Sequence, residues 1–108
     1  MPLYMTQFSY TPEAWTTLSQ NPEDRSAAVR EAAESMGGRL IFFSYSFGEY
    51  DGVFIGEYPD ETAAATLALV GVAAGHLKTI ETTPLLSVEN AMEAMRRTGA
   101  VVFRRPGQ

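Results

Sequence analysis

The side chains best suited to acid–base chemistry lie in one short stretch near the middle of the chain. Glu49, Tyr50 and Asp51 follow one another between two glycines, Gly48 and Gly52. A phenol beside two carboxyl groups can donate and accept protons, so this stretch predicts a proton-handling set at the mouth of a pocket. The alternative is turn chemistry, in which glycine and aspartate reverse the chain and Tyr50 folds back over the core.

His76 is the only histidine, and its imidazole is the side chain that ordinarily titrates near neutral pH. With it, the predicted catalytic residues are Tyr50, Asp51, His76 and Tyr45. The alternative for His76 is structural, because it follows Gly75 at a predicted helix end, where an imidazole can bond free carbonyl groups. One histidine among scattered carboxylates lacks the spacing of metal ligands, so no metal site and no cofactor are expected.

Aromatic side chains from several predicted elements could together line a cavity for a flat hydrophobic ligand. Ser44 has the strand parity of Phe42 and would give such a cavity a polar end. Ordinary core packing is the alternative, because aromatic residues dominate most protein cores. The predicted ligand-binding residues are Trp15, Phe42, Ser44, Phe54 and Glu49.

Composition limits the protein to a few classes. The chain has 108 residues, which predicts one domain with a core over about 3–96 and a short tail over 99–108. It has no cysteine, which excludes disulfides and thiol nucleophiles. Its 13 Asp and Glu against 8 Lys and Arg argue against a nucleic-acid surface. No apolar run has the length of a membrane span and no signal-peptide pattern is present, so a cytoplasmic protein is expected.

The elements that would position these residues follow from periodicity and helix-capping residues. The helix over 63–74 is apolar nearly all round and is expected to be largely buried. Gly56, alone inside a strand, is expected to allow close approach by a helix. In order, the predicted elements are a strand Leu3–Tyr10, a short helix after Thr11, a helix Pro22–Met36, strands Leu40–Phe47 and Gly52–Tyr58 joined as a hairpin, a helix Ala63–Ala74, a strand Leu77–Leu86, a helix from Ser87 to Gly99, and a short extended segment Ala100–Phe103 with strand character.

This order is β-α-β-β-α-β with an appended C-terminal helix, which predicts an α+β, ferredoxin-like sandwich. Both faces of its sheet are apolar: Leu40 and Phe42 share one strand parity, and Phe43 and Phe54 have the other. Helices can cover only one face, so the second needs another cover. A second copy of the chain in an isologous dimer is the simplest one, and Ala100–Phe103 could cross to it or extend a sheet edge.

Several short motifs occur in a recognisable order between Leu3 and about Met95. They are the first strand Tyr4–Tyr10, then Gly37-Gly38-Arg39-Leu40, then Gly48-Glu49-Tyr50-Asp51 leading into Gly52–Glu57, then a helix opening at Pro59-Asp60-Glu61, and a strand with Lys78-Thr79. In these motifs the chain resembles the GYD domain family, a small bacterial family within the dimeric α+β barrel group. The resemblance implies ferredoxin-like protomers that pair sheet to sheet into a barrel.

The wider barrel group includes cofactor-free monooxygenases of polyketide tailoring, muconolactone isomerases, haem-degrading and chlorite-splitting enzymes, and ligand-sensing regulators. Because one fold hosts all of these, the resemblance leaves two functions open. One is a cofactor-independent oxygenase, isomerase or cyclase acting on a small hydrophobic or aromatic metabolite. The other is a non-catalytic homodimer that binds a small hydrophobic ligand. For both, the expected partners are a second copy and a small molecule, with no nucleic acid and no membrane.

Overall fold

The computed structural model describes residues 1–107. Strands and helices follow one another in the predicted order, except at the C-terminus. The elements are β1 Leu3–Tyr10, α1 Pro12–Gln20, α2 Arg25–Ser35, β2 Arg39–Tyr45, β3 Gly52–Glu57, α3 Glu61–Ala73, β4 Leu77–Leu85 and α4 Val88–Arg97, followed by a 3₁₀ turn Thr98–Ala100.

The four strands form one antiparallel sheet in the order β2-β3-β1-β4. This strand order, with both crossover connections helical, is the predicted ferredoxin-like arrangement. β1 lies between β3 and β4, which leaves β2 and β4 at the edges. Pro84 lies in β4 opposite Tyr4, and an edge strand tolerates it because one side of that strand has no partner to bond.

The helices begin where side chains cap them. Thr11, Asp60 and Ser87 each accept a hydrogen bond from the backbone N–H three residues further on, at 2.9–3.1 Å. Asp24 accepts one from the N–H of Ser26 at 3.0 Å. The predicted start of the second helix at Pro22 is therefore wrong, because the cap that forms is Asp24.

Helices α2 and α3 cover one face of the sheet, here called the helix face. The buried residues come mainly from β1, β3 and these two helices, and small alanines let the helices approach the strands closely. Tyr58 packs over Gly56, where a Cβ would lie 2.5 Å from the Tyr58 hydroxyl oxygen. A tyrosine, and not the predicted helix, thus requires glycine there. The buried apolar residues are Tyr4, Phe8, Tyr10, Ala33, Phe54, Tyr58, Ala64 and Leu67.

The other face, here called the open face, has no helix over it within residues 1–107. It carries apolar residues as predicted, at Met5, Phe42, Val53 and Ile55, but polar residues lie among them, including Gln7, Ser44, Glu57 and Glu81. A register shift between Leu40 and Phe42 makes Ile41 a bulge, so Leu40 packs with the core while Phe42 lies on the open face. The predicted shared parity of these two residues is wrong, because a bulge inserts one residue and reverses the alternation.

The prediction that the apolar helix α3 is largely buried is also wrong. Only Ala64 and Leu67 are buried, whereas Leu69, Val70 and Val72 are at least half exposed. One side of α3 meets the sheet and the other has nothing packed on it in the described chain. At 13 residues, the apolar helix α3 is too short to cross a membrane. None of the other helices in residues 1–107 is long and apolar enough to do so either.

The C-terminal segment also differs from its prediction. After α4 the chain makes the 3₁₀ turn Thr98–Ala100, and Val101–Phe103 does not form a strand. Residues with a high strand propensity form a strand only when they pair with another strand. In the described chain, no sheet edge lies beside Val101–Phe103.

Candidate functional site

A cavity of about 160 Å³ lies between the helix face of the sheet and helices α2 and α3. Its lining is almost entirely apolar. Small residues on the helices leave the space open, because an alanine or glycine opposite an aromatic ring cannot fill the gap. The floor includes Phe8, Phe43 and Phe54, and the walls include Ala28, Ala32 and Gly71.

Tyr10, Arg25 and His76 are the polar members of the lining. They come from the end of β1, the first residue of α2 and the junction between α3 and β4. The N–H of Thr11 donates to the His76 carbonyl at 3.0 Å, which ties this junction to the end of β1. The rings of Tyr10 and His76 lie 5.9 Å apart between centroids. A phenol, an imidazole and a guanidinium group thus meet beside an apolar space.

The surroundings change how two of these groups titrate. Burial lowers the pKa of His76 and the positive charge of Arg25 lowers it further, while a backbone hydrogen bond at Ala74 opposes the shift. Burial raises the pKa of Tyr10 well above its ordinary value, and the hydrogen bond with Tyr45 adds to this. At neutral pH His76 is therefore a neutral base, and Tyr10 keeps its proton.

Tyr10 is the centre of an aromatic cluster. Its hydroxyl oxygen lies 3.3 Å from that of Tyr45. The indole of Trp15 meets the Tyr10 ring edge to face, with centroids 5.2 Å apart at 89°. Tyr45 and Trp15 are partly exposed and border a shallow depression outside the cavity. Trp15 therefore contacts the cavity lining through Tyr10, and Tyr45 contacts it through Tyr10 and through Phe43, with ring centroids 5.5 Å apart.

Asp51 holds this cluster to the loop before β3. Its Oδ2 accepts hydrogen bonds from the backbone N–H of Tyr10 at 2.9 Å and from Nε1–H of Trp15 at 3.0 Å. Its own N–H donates to the Phe8 carbonyl at 2.8 Å. The carboxylate thus fixes the positions of Tyr10 and Trp15, which are distant from it in sequence.

Tyr50 points away from the cavity. Its hydroxyl donates to the carboxylate of Glu81, which lies opposite Gln7 in the register of β4 with β1 and has open-face parity. That hydrogen bond is the main cause that raises the pKa of Tyr50. Tyr50 and Asp51 are neighbours in sequence, yet their side chains serve opposite faces of the sheet.

The predicted site residues are therefore divided by the structure. His76 and Phe54 line the cavity, and Asp51, Tyr45 and Trp15 surround Tyr10. The others lie elsewhere: Tyr50 is bonded to Glu81, Glu49 is exposed, and Phe42 and Ser44 are on the open face. Within residues 1–107, no three His, Asp or Glu side chains come together in a group able to hold a metal ion.

Sequence reasoning missed Tyr10 and Arg25. One clue to Arg25 was present, since it is the charged member of a helix side otherwise formed by small and apolar residues such as Ala28 and Val29. A charge on such a side faces either a partner or a cavity. Tyr10 gave no comparable clue, because a final aromatic residue is ordinary in a buried strand.

Residues 4–95 match the GYD domain. The chain belongs to the GYD domain family. The matched region runs from β1 into α4 and contains every residue that lines the cavity. The cavity is therefore part of the GYD domain itself, whereas the last residues of α4 and everything after them lie outside the match. Among curated proteins, none matches the chain significantly.

Solved structures resemble this GYD domain in general backbone arrangement. An uncharacterised NIPSNAP-like domain protein from Burkholderia xenovorans is 18% identical, with 81% of this chain and 84% of that one covered and a TM-score of 0.49. An antibiotic biosynthesis monooxygenase is 17% identical, with 82% and 99% covered and a TM-score of 0.49. A protein from Pseudomonas aeruginosa is 13% identical, with 81% and 94% covered and a TM-score of 0.49. At this similarity none of the three bears on what this chain binds or catalyses.

Proposed function

We propose that this GYD domain binds a small single-ring hydrophobic molecule in the cavity between α2, α3 and the sheet. The observation that carries the proposal is an apolar space with three polar side chains beside it. Its volume is about 160 Å³, and a core cavity of roughly 150 Å³ takes up benzene. One six-membered ring is therefore the size of ligand that the cavity accommodates.

The polar groups favour a ring that carries a hydroxyl or carboxylate group. Arg25 supplies a positive charge, Tyr10 a hydroxyl donor and His76 a neutral imidazole. Arg25 is paired with Glu23 at 3.3 Å near the surface, and such a solvated pair is weak enough to be exchanged for a ligand oxygen. We infer that the ring occupies the apolar part and that its oxygen lies beside these three residues.

As an enzyme, the domain would act without a cofactor as an isomerase, a cyclase or an oxygenase. In each case His76 takes a proton from the bound molecule, and the hydroxyl of Tyr10 donates to the oxygen on which negative charge develops. Asp51, Tyr45 and Trp15 hold Tyr10 in place. Isomerisation and cyclisation then return the proton to a different atom, whereas oxygenation consumes dioxygen as a second substrate.

The second candidate is a non-catalytic binding module. It is favoured by the bonds of Asp51 and Tyr50, because the carboxylate of Asp51 and the hydroxyl of Tyr50 are engaged within the protein. A module of this kind would release its ligand unchanged. The two candidates share the cavity and differ only in whether a proton is transferred.

We further propose that the protein works as a homodimer. The open face carries Phe42, Val53 and Ile55 with no helix in front of them within residues 1–107. An isologous pair of such faces would remove this apolar surface from water, which is the main driving force for association.

Binding to the cavity is tested by titrating phenol, benzoate and indole into the protein and measuring heat. Ala28 lines the cavity, and its neighbour Ala27 is exposed. The larger side chain in Ala28→Leu should occupy the space and weaken binding at least about tenfold, whereas Ala27→Leu should bind as the wild type does. Absence of binding by every probe, or unchanged binding in Ala28→Leu, would refute the cavity as a ligand site.

Proton transfer is tested with acetophenone and phenylacetone, single-ring molecules that carry a carbon-bound proton beside a carbonyl group, so that its removal places negative charge on the oxygen. The protein is incubated with each probe in deuterated water, and deuterium in the recovered probe is measured by mass spectrometry. An enzyme should exchange a carbon-bound proton or convert the probe, and His76→Gln should abolish this while binding remains within a fewfold. Binding with neither exchange nor conversion favours the non-catalytic module.

A further inference from the structure

A second concave region lies outside the cavity, where the later part of α1 and the link to α2 meet the end of β2. We call it the depression. Its volume is about 170 Å³, close to that of the cavity, and it shares no lining residue with the cavity. It is therefore a separate place for a ligand. The residues that line it are Trp15, Leu18, Ser19, Pro22, Glu23 and Tyr45.

Two aromatic rings form a corner in the wall of the depression. Trp15 is 38% exposed and Tyr45 is 44% exposed, so part of each ring is free to contact a ligand. The ring centroids lie 6.1 Å apart, and the ring planes are inclined by 48°. An aromatic face attracts a cation that lies within about 6 Å of its centroid. Two inclined rings can contact one cation together.

Asp51 strengthens the attraction of Trp15 for a cation. Its Oδ2 accepts a hydrogen bond from Nε1–H of the indole at 3.0 Å. A bond from the ring N–H to a carboxylate moves electron density into the indole and makes its face more negative. The same bond fixes the ring, so less side-chain freedom is lost when a ligand binds.

Glu23 adds a negative charge beside the two rings. Its side chain is 57% exposed and is paired with Arg25 at 3.3 Å, an exposed pair of the weak kind. Arg25 itself lines the cavity, and none of the residues that line the depression is a Lys or an Arg. The net charge of the whole chain is −5. The charges therefore favour a cation in the depression over an anion.

The side chains favour a methylated ammonium group over a primary one. A primary ammonium has three N–H donors, each of which needs an acceptor. Besides Glu23, the lining side chains that carry oxygen are Ser19 and Tyr45, and the hydroxyl oxygen of Tyr45 already lies 3.3 Å from that of Tyr10. A trimethylammonium group has no N–H to satisfy and places methyl groups against rings and apolar side chains.

We propose that the depression binds a small free solute with a trimethylammonium group, held between Trp15 and Tyr45 and beside the carboxylate of Glu23. The phosphocholine head group of a lipid fits less well, because its phosphate would lie near Glu23 and its neighbour Asp24. Since the depression and the cavity share no lining residue, this proposal can fail while binding in the cavity holds, and the reverse is also true.

The first test compares choline with 3,3-dimethylbutan-1-ol, a neutral molecule of the same shape in which carbon replaces the charged nitrogen. Trp15 is the single tryptophan, so its fluorescence reports binding in the depression. Sodium chloride keeps the ionic strength constant. Choline should change the fluorescence saturably, with a Kd in the millimolar range, and the alcohol should bind at least about fivefold more weakly. No saturable change, equal binding of the two, or equal binding of propylammonium and choline would overturn the proposal.

The second test removes the negative charge. Glu23→Gln keeps the shape of the side chain and should weaken choline binding at least about threefold. Glu34→Gln makes the same change in net charge at an exposed position near the other end of α2, and it should bind choline as the wild type does. Equal effects of the two variants would mean that only the overall charge matters, which would overturn the proposal.

The third test concerns the aromatic corner. Tyr45→Leu removes one ring and should weaken choline binding at least about threefold, whereas Tyr45→Phe keeps a ring and should recover most of the affinity. Circular dichroism checks that both variants fold, and calorimetry confirms the affinities. Equal binding by Tyr45→Leu and Tyr45→Phe would contradict the role of the ring.

Two measurements identify where and in what form the cation binds. In the wild type, the methyl protons of choline should give intermolecular nuclear Overhauser effects to the ring protons of Trp15 and Tyr45. Effects to Phe8 and Phe43 instead would place choline in the cavity and overturn the proposal. Flotation with phosphatidylcholine vesicles, lost in Glu23→Gln, would show that a lipid head group is bound and would overturn the assignment to a free solute.

Discussion

Both faces of the sheet carry phenylalanine, but the surroundings of the two faces differ. On the helix face Phe8 is 3% exposed and packs beside the cavity, whereas Phe42 on the open face is 50% exposed. Both are phenylalanines in strands of the same sheet. The difference shows that apolar composition does not locate a site, since the site depends on what packs opposite the strand and on the space left between.

The same contrast between the two faces is found for two neighbouring residues in the loop before β3. Asp51 bonds Tyr10 and Trp15 beside the helix face, while Tyr50 bonds Glu81 across the open face. Two adjacent residues that could both take part in acid–base chemistry thus have separate roles. Asp51 positions the residue that lines the cavity, and Tyr50 fastens the loop to the far edge strand.

The largest difference between the faces should appear in stability. Phe8→Ala removes a buried ring and should lower the free energy of unfolding by about 3–5 kcal/mol. Phe42→Ala should lower it by less than about 1 kcal/mol in dilute, monomeric protein, because half of that ring is already in water. Urea denaturation measures both, and equal losses would contradict the assignment of the two faces.

A smaller difference is expected between the two residues of the loop. Asp51→Ala leaves the N–H of buried Tyr10 without its acceptor and should cost about 1–3 kcal/mol. Tyr50→Phe removes one bond at the surface and should cost less than about 0.5 kcal/mol. Trp15 is the single tryptophan, so its fluorescence should shift in Asp51→Ala and stay unchanged in Tyr50→Phe. A shift in both variants would contradict separate roles.

His76, which lines the cavity at the helix face, should also make the free energy of unfolding depend on pH. The pKa of His76 is lowered in the folded protein, so the unfolded chain binds a proton at a higher pH than the folded one. The stabilisation that this pKa difference gives the folded protein is therefore present above about pH 6.5, and it is lost as the pH falls through the pKa of His76 in the folded protein. Urea denaturation from about pH 8 to about pH 5 should show a flatter profile for His76→Gln than for wild type. Identical profiles would show that the imidazole is not shielded from water.

The smallest effect concerns an ion pair at the edge of the sheet. Arg39 and Glu57 lie opposite each other in β2 and β3, with nitrogen and oxygen 2.8 Å apart. Such a partly exposed pair contributes up to about 1 kcal/mol and is screened by salt, so Arg39→Ala should matter less in high salt. If two open faces pair as proposed, the covered ion pair should lose this salt dependence. Comparing dilute and concentrated protein thus tests whether the open face is covered.

Much of the fold was predictable because its signals are local. Thr11, Asp60 and Ser87 cap α1, α3 and α4 near the starts predicted for these helices, and the predicted hairpin joins β2 to β3 around the 46–51 loop. Less of the candidate site was predictable. Tyr10, Arg25 and His76 come from three separate parts of the chain, and only the packing of α2 and α3 on the sheet brings them to one cavity.

The sequence by itself determined the order of strands and helices, the ferredoxin-like topology and the presence of apolar residues on both sheet faces. Periodicity and capping act between residues a few positions apart, so the chain order carries them. Tertiary structure alone decided that Ile41 is a bulge, that Asp51 and Tyr50 point to opposite faces, and that no residue of α4 is buried. Each of these depends on hydrogen bonds or packing between residues distant in sequence, and no local pattern contains that information.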